Sequence, residues 1–373
     1  MAELLVAGIV AAVVVGVNVG GSSTGVAFGP AVGANTISQV GAGVLMSLSA
    51  LVGGWTVGRN VITTVGHDIV AGPAFSLSAG LLVLMCIGGA LFVANLCGVP
   101  ASTSMVAVGA MVGMGLSSAG VHWWTLVEIV GWWLIAPSLA FSIAAAIGRY
   151  RYRELAATLA LDTPSTALVT ISWKGVRPRL AIAPDVSRAE VVSTGVLLLI
   201  ACYMGFSAGA SNVANAVAPL VGSGALSTDA GVVIAVIAIA IGAFTIARRT
   251  MATVGNDLTK LPLVAACLVA MIGATITTGL AAIGIPASLA LATVAAIIGL
   301  GWGRTCRARQ RPEPPLPATR AESVRADTTP VYAEHPSALT MLSGRTVTRV
   351  LAVWTLAPLC ALIVALLGGY VIS

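Results

Sequence analysis

Two stretches 189 positions apart each gather neutral polar groups that could bind a ligand. They are residues 20–38 (GGSSTGVAFGPAVGANTIS) and 209–227 (GASNVANAVAPLVGSGALS). Ser22, Ser23 and Thr24 in the first, and Ser211, Asn212 and Asn215 in the second, offer neutral hydrogen-bond donors. Embedded in apolar sequence with glycines and a proline, such a stretch is expected to interrupt a helix. An open helix end presents unpaired N–H groups and the positive end of the helix dipole, which together suit an anion. On that reading the backbones of Gly20, Gly21, Gly25, Gly209 and Ala210 add to the donor set. The alternative is that Gly, Ala and Ser simply let helices approach closely, and that is the reading adopted for Gly8, Gly16, Gly41 and Gly43.

A second pair of motifs follows the same logic. In GVPASTS (98–104), Pro100 is expected to open a helix whose first turn carries Ser102, Thr103 and Ser104, where helix N–H groups are unpaired. The matching GIPAS (284–288) is followed by Leu289 and Ala290, so only Ser288 survives. An N-cap explains one serine but not three consecutive hydroxyls. The first copy is therefore expected to bind and the second to be largely structural.

The elements that must position these groups are themselves duplicated. Arg59 matches Arg248, Gly66 matches Gly255 and Asp68 matches Asp257 at the same offset, and Trp133-x3-Pro137 is echoed by Trp354-x3-Pro358. The chain is two copies of one unit, roughly 4–148 and 190–371. Duplicated units with Gly/Pro-interrupted apolar segments at matching places are the signature of a secondary transporter whose site lies between the repeats.

With 58% hydrophobic and 9% charged residues, both units belong in a bilayer. Apolar runs of spanning length fall at 4–19, 40–57, 74–97, 122–148, 191–206, 230–246, 261–283 and 349–371, with Gly/Ala/Ser-rich apolar blocks at 102–120 and 286–302. The first run has no basic start and leads straight into the repeated motif, so it is read as a span, not a cleaved leader. Fifteen of the 19 Lys and Arg residues lie in 149–190 and 303–349. The positive-inside rule makes both loops cytoplasmic. The basic balance thus reports orientation and contact with anionic lipid, not nucleic-acid binding. The second loop is Pro/Arg-rich and expected to be disordered.

Parity then makes the units inverted. The last span leaves the cytoplasm, so the C-terminus is outside. An odd number of crossings per unit places the N-terminus outside as well. The expectation is an all-α integral membrane protein of two inverted-topology repeats, about five transmembrane segments each, with broken or re-entrant helices at the motifs. Its divisions are a first repeat (1–148), a basic loop (149–189), the first part of the second repeat (190–302), a Pro/Arg-rich loop (303–348) and a last helix (349–373). The six cysteines have neither metal-ligand spacing nor a disulfide pattern, and no metal site or cofactor is expected.

At these motifs the sequence resembles the inorganic phosphate transporter (PiT) family, whose duplicated signature runs GANDVANAFG…GSGALT. The second copy here is close to it, PASTS resembles the family's PVSTTH segment, and TVGHDI (64–69) and TVGNDL (253–258) resemble the TVG element after each signature. The likeness covers both repeats. It implies a transporter of a tetrahedral inorganic oxyanion at the plasma membrane, often a homodimer, driven by Na+ or H+. The departures point to a branch. The signature Asp is Ser23 in one copy and Asn212 in the other, the signature Asn residues of the first copy are Ser22 and Val26, Ser211 replaces one in the second, and Met105 stands for the His. This pattern is similar to the family's sulfate permease branch. Sulfate carries no proton near neutral pH and is served by donors alone, whereas phosphate retains a proton that asks for an acceptor. Loss of the carboxylates also removes the strongest ligands for a hard cation such as sodium. Sulfate is therefore placed ahead of phosphate.

Few charges remain inside the spans. Arg59 and Arg248 read either as cationic mouths that draw an anion in from each face or as interfacial arginines paired with Asp68 and Asp257. Glu128, among Trp123, Trp124, Trp132 and Trp133, reads either as a proton carrier or as an interfacial carboxylate. A passive anion channel would share the neutral donors, but inverted repeats suit alternating access better. No nucleophile–base set is visible, so an enzyme is not expected.

Overall fold

The computed structural model describes residues 1–34, 36–71, 76–96, 102–118, 120–159, 169–174, 177–182, 188–248, 251, 262–310 and 344–372. In chain order its helices are α1 (Ala2–Gly33), α2 (Gln39–Thr56), α3 (Gly58–Thr63), α4 (Leu77–Leu96), α5 (Thr103–Ser117), α6 (Trp123–Ala146), α7 (Tyr152–Leu159), α8 (Arg188–Gly222), α9 (Thr228–Phe244), α10 (Leu263–Ala282), α11 (Leu289–Gln310) and α12 (Gly344–Ile372). Single π-helical segments follow α3 (Thr64–Asp68) and α6 (Ile147–Arg151). The one departure from helix among these elements is an antiparallel hairpin of β1 (Val169–Lys174) and β2 (Arg177–Ile182), with Val169 opposite Ile182. It lies in the first basic loop. The β-branched run Val169–Ile171 and the alternation of apolar with polar residues through VTISWK suit a strand.

Among the described residues, seven helices are long and apolar enough to cross a membrane, and the bent pair α2–α3 makes an eighth. The shorter apolar helices α5 and α9 complete five segments in each unit. This is a multi-pass helical membrane protein. Apolar side chains cover its outer surface, among them Leu48, Phe92, Leu134, Leu199, Ile237 and Leu367.

The packing repeats with the halves exchanged. α1 packs on α9 as α8 packs on α2, and α5 packs on α12 as α11 packs on α6. The match extends to single residues. Gly53 abuts the Phe206 carbonyl, and Gly242 abuts that of Val17, each residue 189 positions from its counterpart. Gly113 abuts the Leu362 carbonyl, and Gly299 that of Phe141. The two helices that carry the motifs, α1 and α8, run antiparallel: Gly8 meets Leu220, Ser23 meets Asn212 and Phe28 meets Gly205.

The expected helix breaks at the motifs are not there. Residues 20–33 lie inside the 32-residue α1, and 209–222 inside the 35-residue α8. The hydroxyls fold back onto their own helix, Thr24 Oγ1 donating to the Gly20 carbonyl (2.6 Å) and Ser22 Oγ to that of Val19 (3.1 Å), so they need no break to be satisfied. Pro30 and Pro219 each sit in the last turn of their helix, so the single i→i−4 bond each removes lies near the helix end and leaves the motif helical. The glycines act through packing. A Cβ on Gly20 would lie 2.7 Å from Ile239 Cα, and one on Gly209 2.6 Å from Ala50 Cα. The backbones of Gly20, Gly21, Gly25, Gly209 and Ala210 are therefore mid-helix, not an open anion cradle.

The real interruption falls between α2 and α3, which are bent by 63°. Beyond the bend, Gly58 lies so close that a Cβ there would sit 3.3 Å from the Gly209 and Ala210 carbonyls. The TVGHD residues follow as a π-helical turn, whose extra residue per turn shifts the side-chain register. The equivalent TVGND stretch, Pro100, and most of the Pro/Arg-rich loop fall outside the described residues.

Candidate functional site

The antiparallel crossing of α1 and α8 brings the motif side chains to the first turn of α5. Asn212 Nδ2 donates to Ser23 Oγ (3.4 Å), joining the two positions that match at the 189-residue offset. Thr103 Oγ1 donates to Asn212 Oδ1 (2.7 Å). Asn215 Nδ2 lies within reach of Thr103 Oγ1 (3.1 Å), Ser104 Oγ (3.2 Å) and Asn212 Oδ1 (3.1 Å). Ser104 Oγ in turn donates to the Ala287 carbonyl (3.1 Å), which ties the two PAS segments together. Ser104 and Asn215 are fully buried, while Asn212 retains 7% exposure. Helix α5 starts where it does because Ser102, in an extended conformation, accepts from Met105 N. Its first-turn hydroxyls are thereby fixed against α8.

The result is a compact neutral network of Ser23, Thr103, Ser104, Asn212 and Asn215 drawn from three helices. Two acceptors in and beside it are unspent: Asn215 Oδ1 and Ser211 Oγ are buried with no partner among the described residues. A buried polar atom without a partner costs about 1–3 kcal/mol, so a ligand or ion that meets these atoms recovers that cost. The network holds no ionisable side chain. It can present N–H and O–H groups to an anion as it displaces the mutual hydrogen bonds.

The other expected site residues lie elsewhere. Ser22 and Thr24 are spent on their own helix. Ser102 is a cap, and Ser288 is one as well, accepting from Leu291 N at 3.3 Å. Arg59 does not pair with Asp68. It binds Asp229, at the start of α9 in the other unit, at 2.6 Å, and stacks over Trp55 at 4.4 Å. Arg248 and Glu128 are both exposed. Glu128 thus stands on the outer face of α6 beside exposed Trp124 and Val127, which favours the interfacial reading over a proton path through the network. Asp257 lies outside the described residues.

Several contacts were not foreseen. Trp133 Nε1 donates to the Pro286 carbonyl (2.7 Å) and Asn60 Nδ2 to that of Ala282 (2.8 Å). Both brace the 282–288 turn against the first unit. The sequence signal was available for Trp133, a duplicated aromatic with an indole N–H to satisfy, but not for its target, a backbone carbonyl.

Known proteins fit this geometry. Residues 19–365 match the model of the phosphate transporter family. A sulfate permease, CysP, of Bacillus subtilis (strain 168) is 28% identical over 77% of this chain and 74% of its own. Inorganic phosphate transporter 2-1, chloroplastic, of Arabidopsis thaliana is 24% identical over 83% of this chain and 66% of its own. A solved structure titled the sodium-dependent phosphate transporter superposes with a TM-score of 0.71 over 99% of both chains at 18% identity, which speaks for the fold. The family and these relatives are transporters, not enzymes, and a match over nearly the whole length places the chain with them: it belongs to the phosphate transporter family.

Proposed function

We propose that the protein is a secondary active permease of the plasma membrane for a tetrahedral inorganic oxyanion, with sulfate preferred over phosphate. The observation that carries this reading is the Ser23–Asn212 pair. The two residues occupy matched positions, touch each other, and are neutral donors where the family signature has Asp. A donor-only ligand such as sulfate suits that pair. The bond between Asn212 and Ser23 links the units, as a site at a repeat interface requires for alternating access. The antiparallel course of α1 and α8 and the exchanged packing support inverted topology. Coupling to H+ or Na+, and a homodimer, complete the proposal. Phosphate is the second reading, and the orphan Asn215 Oδ1 favours it, being an acceptor able to take the proton of hydrogen phosphate.

Proteoliposomes containing the purified protein should take up labelled sulfate, with unlabelled sulfate competing about tenfold better than phosphate. Internal sulfate should drive counterflow, which a channel would not show. Sodium and proton gradients imposed separately would identify the coupling ion. Robust phosphate uptake that sulfate fails to inhibit would reverse the preference.

Inverted topology with both basic loops cytoplasmic makes a further prediction. Cysteines placed at Ala160 and Arg325 in a cysteine-free background should resist an impermeant maleimide in intact cells and react after permeabilisation. Labelling of either in intact cells would overturn the orientation.

A further inference from the structure

The ends of α6 and α11 form a surface that the transport reading does not use. Glycines draw the two helices into backbone contact: Gly299 abuts the Phe141 carbonyl, Gly303 that of Ala145, and a Cβ on Gly148 would lie 2.5 Å from that of Leu300. The chain segments that meet at this seam carry Arg149, Arg151 and Arg153 on one side and Arg304, Arg307 and Arg309 on the other. Among the described residues 147–159 and 303–310, Glu154 is the one carboxylate, and it is taken by Arg151 at 2.6 Å. The cluster is built, not a loose fringe. Arg307 Nη1 donates to the Arg149 and Tyr150 carbonyls (3.4 and 3.3 Å), and Arg149 Nη2 donates to Gln310 Oε1 (3.1 Å). Arg304 stacks on Tyr152 at 4.5 Å, and Arg149 lies over Tyr150 at 5.3 Å.

Immediately below the arginines the same two helices turn apolar. Phe141 and Trp302 pack with ring centroids 5.8 Å apart. Leu139, Ile143 and Trp302 are exposed, as befits a surface that meets acyl chains. Aromatic residues between an apolar band and a guanidinium tier mark headgroup level. Six arginines on two adjoining helix ends favour anions between them, since like charges repel.

We propose that this seam is a binding site for anionic phospholipid, whose phosphodiester sits among Arg149, Arg151, Arg304 and Arg309 while its acyl chains lie against Phe141, Ile143 and Trp302. A free oxyanion would satisfy the charges but gain nothing from the apolar tier below. The inference rests on the membrane assignment and not on which anion is carried, so it can fail while the transport reading stands. Each arginine at a membrane surface is worth about fivefold in affinity for acidic lipid.

The test is native mass spectrometry of the detergent-solubilised full chain with phosphatidylglycerol or phosphatidylcholine of matched acyl chains, repeated in millimolar inorganic phosphate. The wild type should retain phosphatidylglycerol at least about tenfold better than phosphatidylcholine, and phosphate should not displace it. The Arg151→Gln/Arg304→Gln/Arg309→Gln variant should lose that preference, whereas Arg177→Gln/Arg179→Gln/Arg188→Gln, farther along the first basic loop, should keep it. Should the first triple variant fail to fold, Arg151→Gln and Arg309→Gln alone, both on exposed side chains, are each expected to cost about fivefold. An unchanged preference in the seam variants, equal loss in the control, or displacement by inorganic phosphate would each overturn the site.

Discussion

Placing carboxylates at both signature positions, Ser23→Asp with Asn212→Asp, is expected to reduce sulfate uptake by at least tenfold, about 1.4 kcal/mol or more of lost binding. The size of the effect follows from the geometry. Asn212 Nδ2 and Ser23 Oγ are 3.4 Å apart, so two carboxylates there cannot both ionise, and the pair shares a proton. What remains is a net negative charge at the point where a dianion is to bind, in a place with little water to screen it. Asn212→Asp alone separates the contributions. It keeps the acceptor that Thr103 and Asn215 use and loses the donor to Ser23, so the loss then reports charge and donor count with the rest of the network intact. The double variant also restores a proton acceptor and hard oxygen ligands, so phosphate uptake or sodium dependence should rise as sulfate uptake falls. Uptake is normalised to folded protein measured in the same vesicles. Sulfate uptake that survives both carboxylates would sink the donor-only account of the site.

How much of this was legible beforehand depended on what each kind of residue does physically. The duplication, the spans and the matched positions of Ser23 and Asn212 were readable because register survives in sequence; that the two side chains bond to each other is read only from the fold. The first-turn hydroxyls of α5 were readable too, since an N-terminal turn exposes its side chains by geometry. The continuity of α1 and α8 was not. Gly, Ser and Thr inside an apolar stretch fit both an opened helix and a closely packed one, and the choice depends on whether a neighbouring backbone fills the space where Cβ atoms would be. Here Ile239 and Ala50 fill it. The partner of Arg59 was missed for a similar reason. Asp68 was the near carboxylate in sequence, but the 63° bend after α2 carries Arg59 toward Asp229 of the other unit. The orphan acceptors Asn215 Oδ1 and Ser211 Oγ carry no sequence signal at all, because being unpartnered belongs to the folded surroundings and not to the residue type.

The glycines at the exchanged contacts should be the positions least tolerant of the smallest substitution. A Cβ on Gly20 would lie 2.7 Å from Ile239 Cα, on Gly209 2.6 Å from Ala50 Cα, on Gly53 2.8 Å from the Phe206 carbonyl carbon and on Gly242 2.8 Å from Gly21 N. In each case the obstacle is backbone, which cannot swing aside as a side chain can. Relief requires the helices to separate, and overpacking of this kind costs about 1–3 kcal/mol. Alanine is ordinarily the better helix former by about 0.5–1 kcal/mol, so the observed loss is the clash less that gain. Gly89, Gly131, Gly195 and Gly279 supply the comparison, since a Cβ at any of them meets nothing within 4 Å; alanine there should leave stability unchanged or slightly improved. The symmetry sharpens the expectation. Gly53 and Gly242 are the same contact in exchanged copies, so Gly53→Ala and Gly242→Ala should lower the melting temperature in detergent by similar amounts. Gly20→Ala and Gly209→Ala should likewise match each other, with the added penalty that they shift α1 and α8 where Ser23 meets Asn212. Transport per folded molecule should therefore fall further for the Gly20 and Gly209 variants than for the Gly53 and Gly242 pair. Wild-type melting and uptake in all four variants would show that the helices are not packed backbone to backbone at these positions, and the continuous-helix account of the motifs would fall with it.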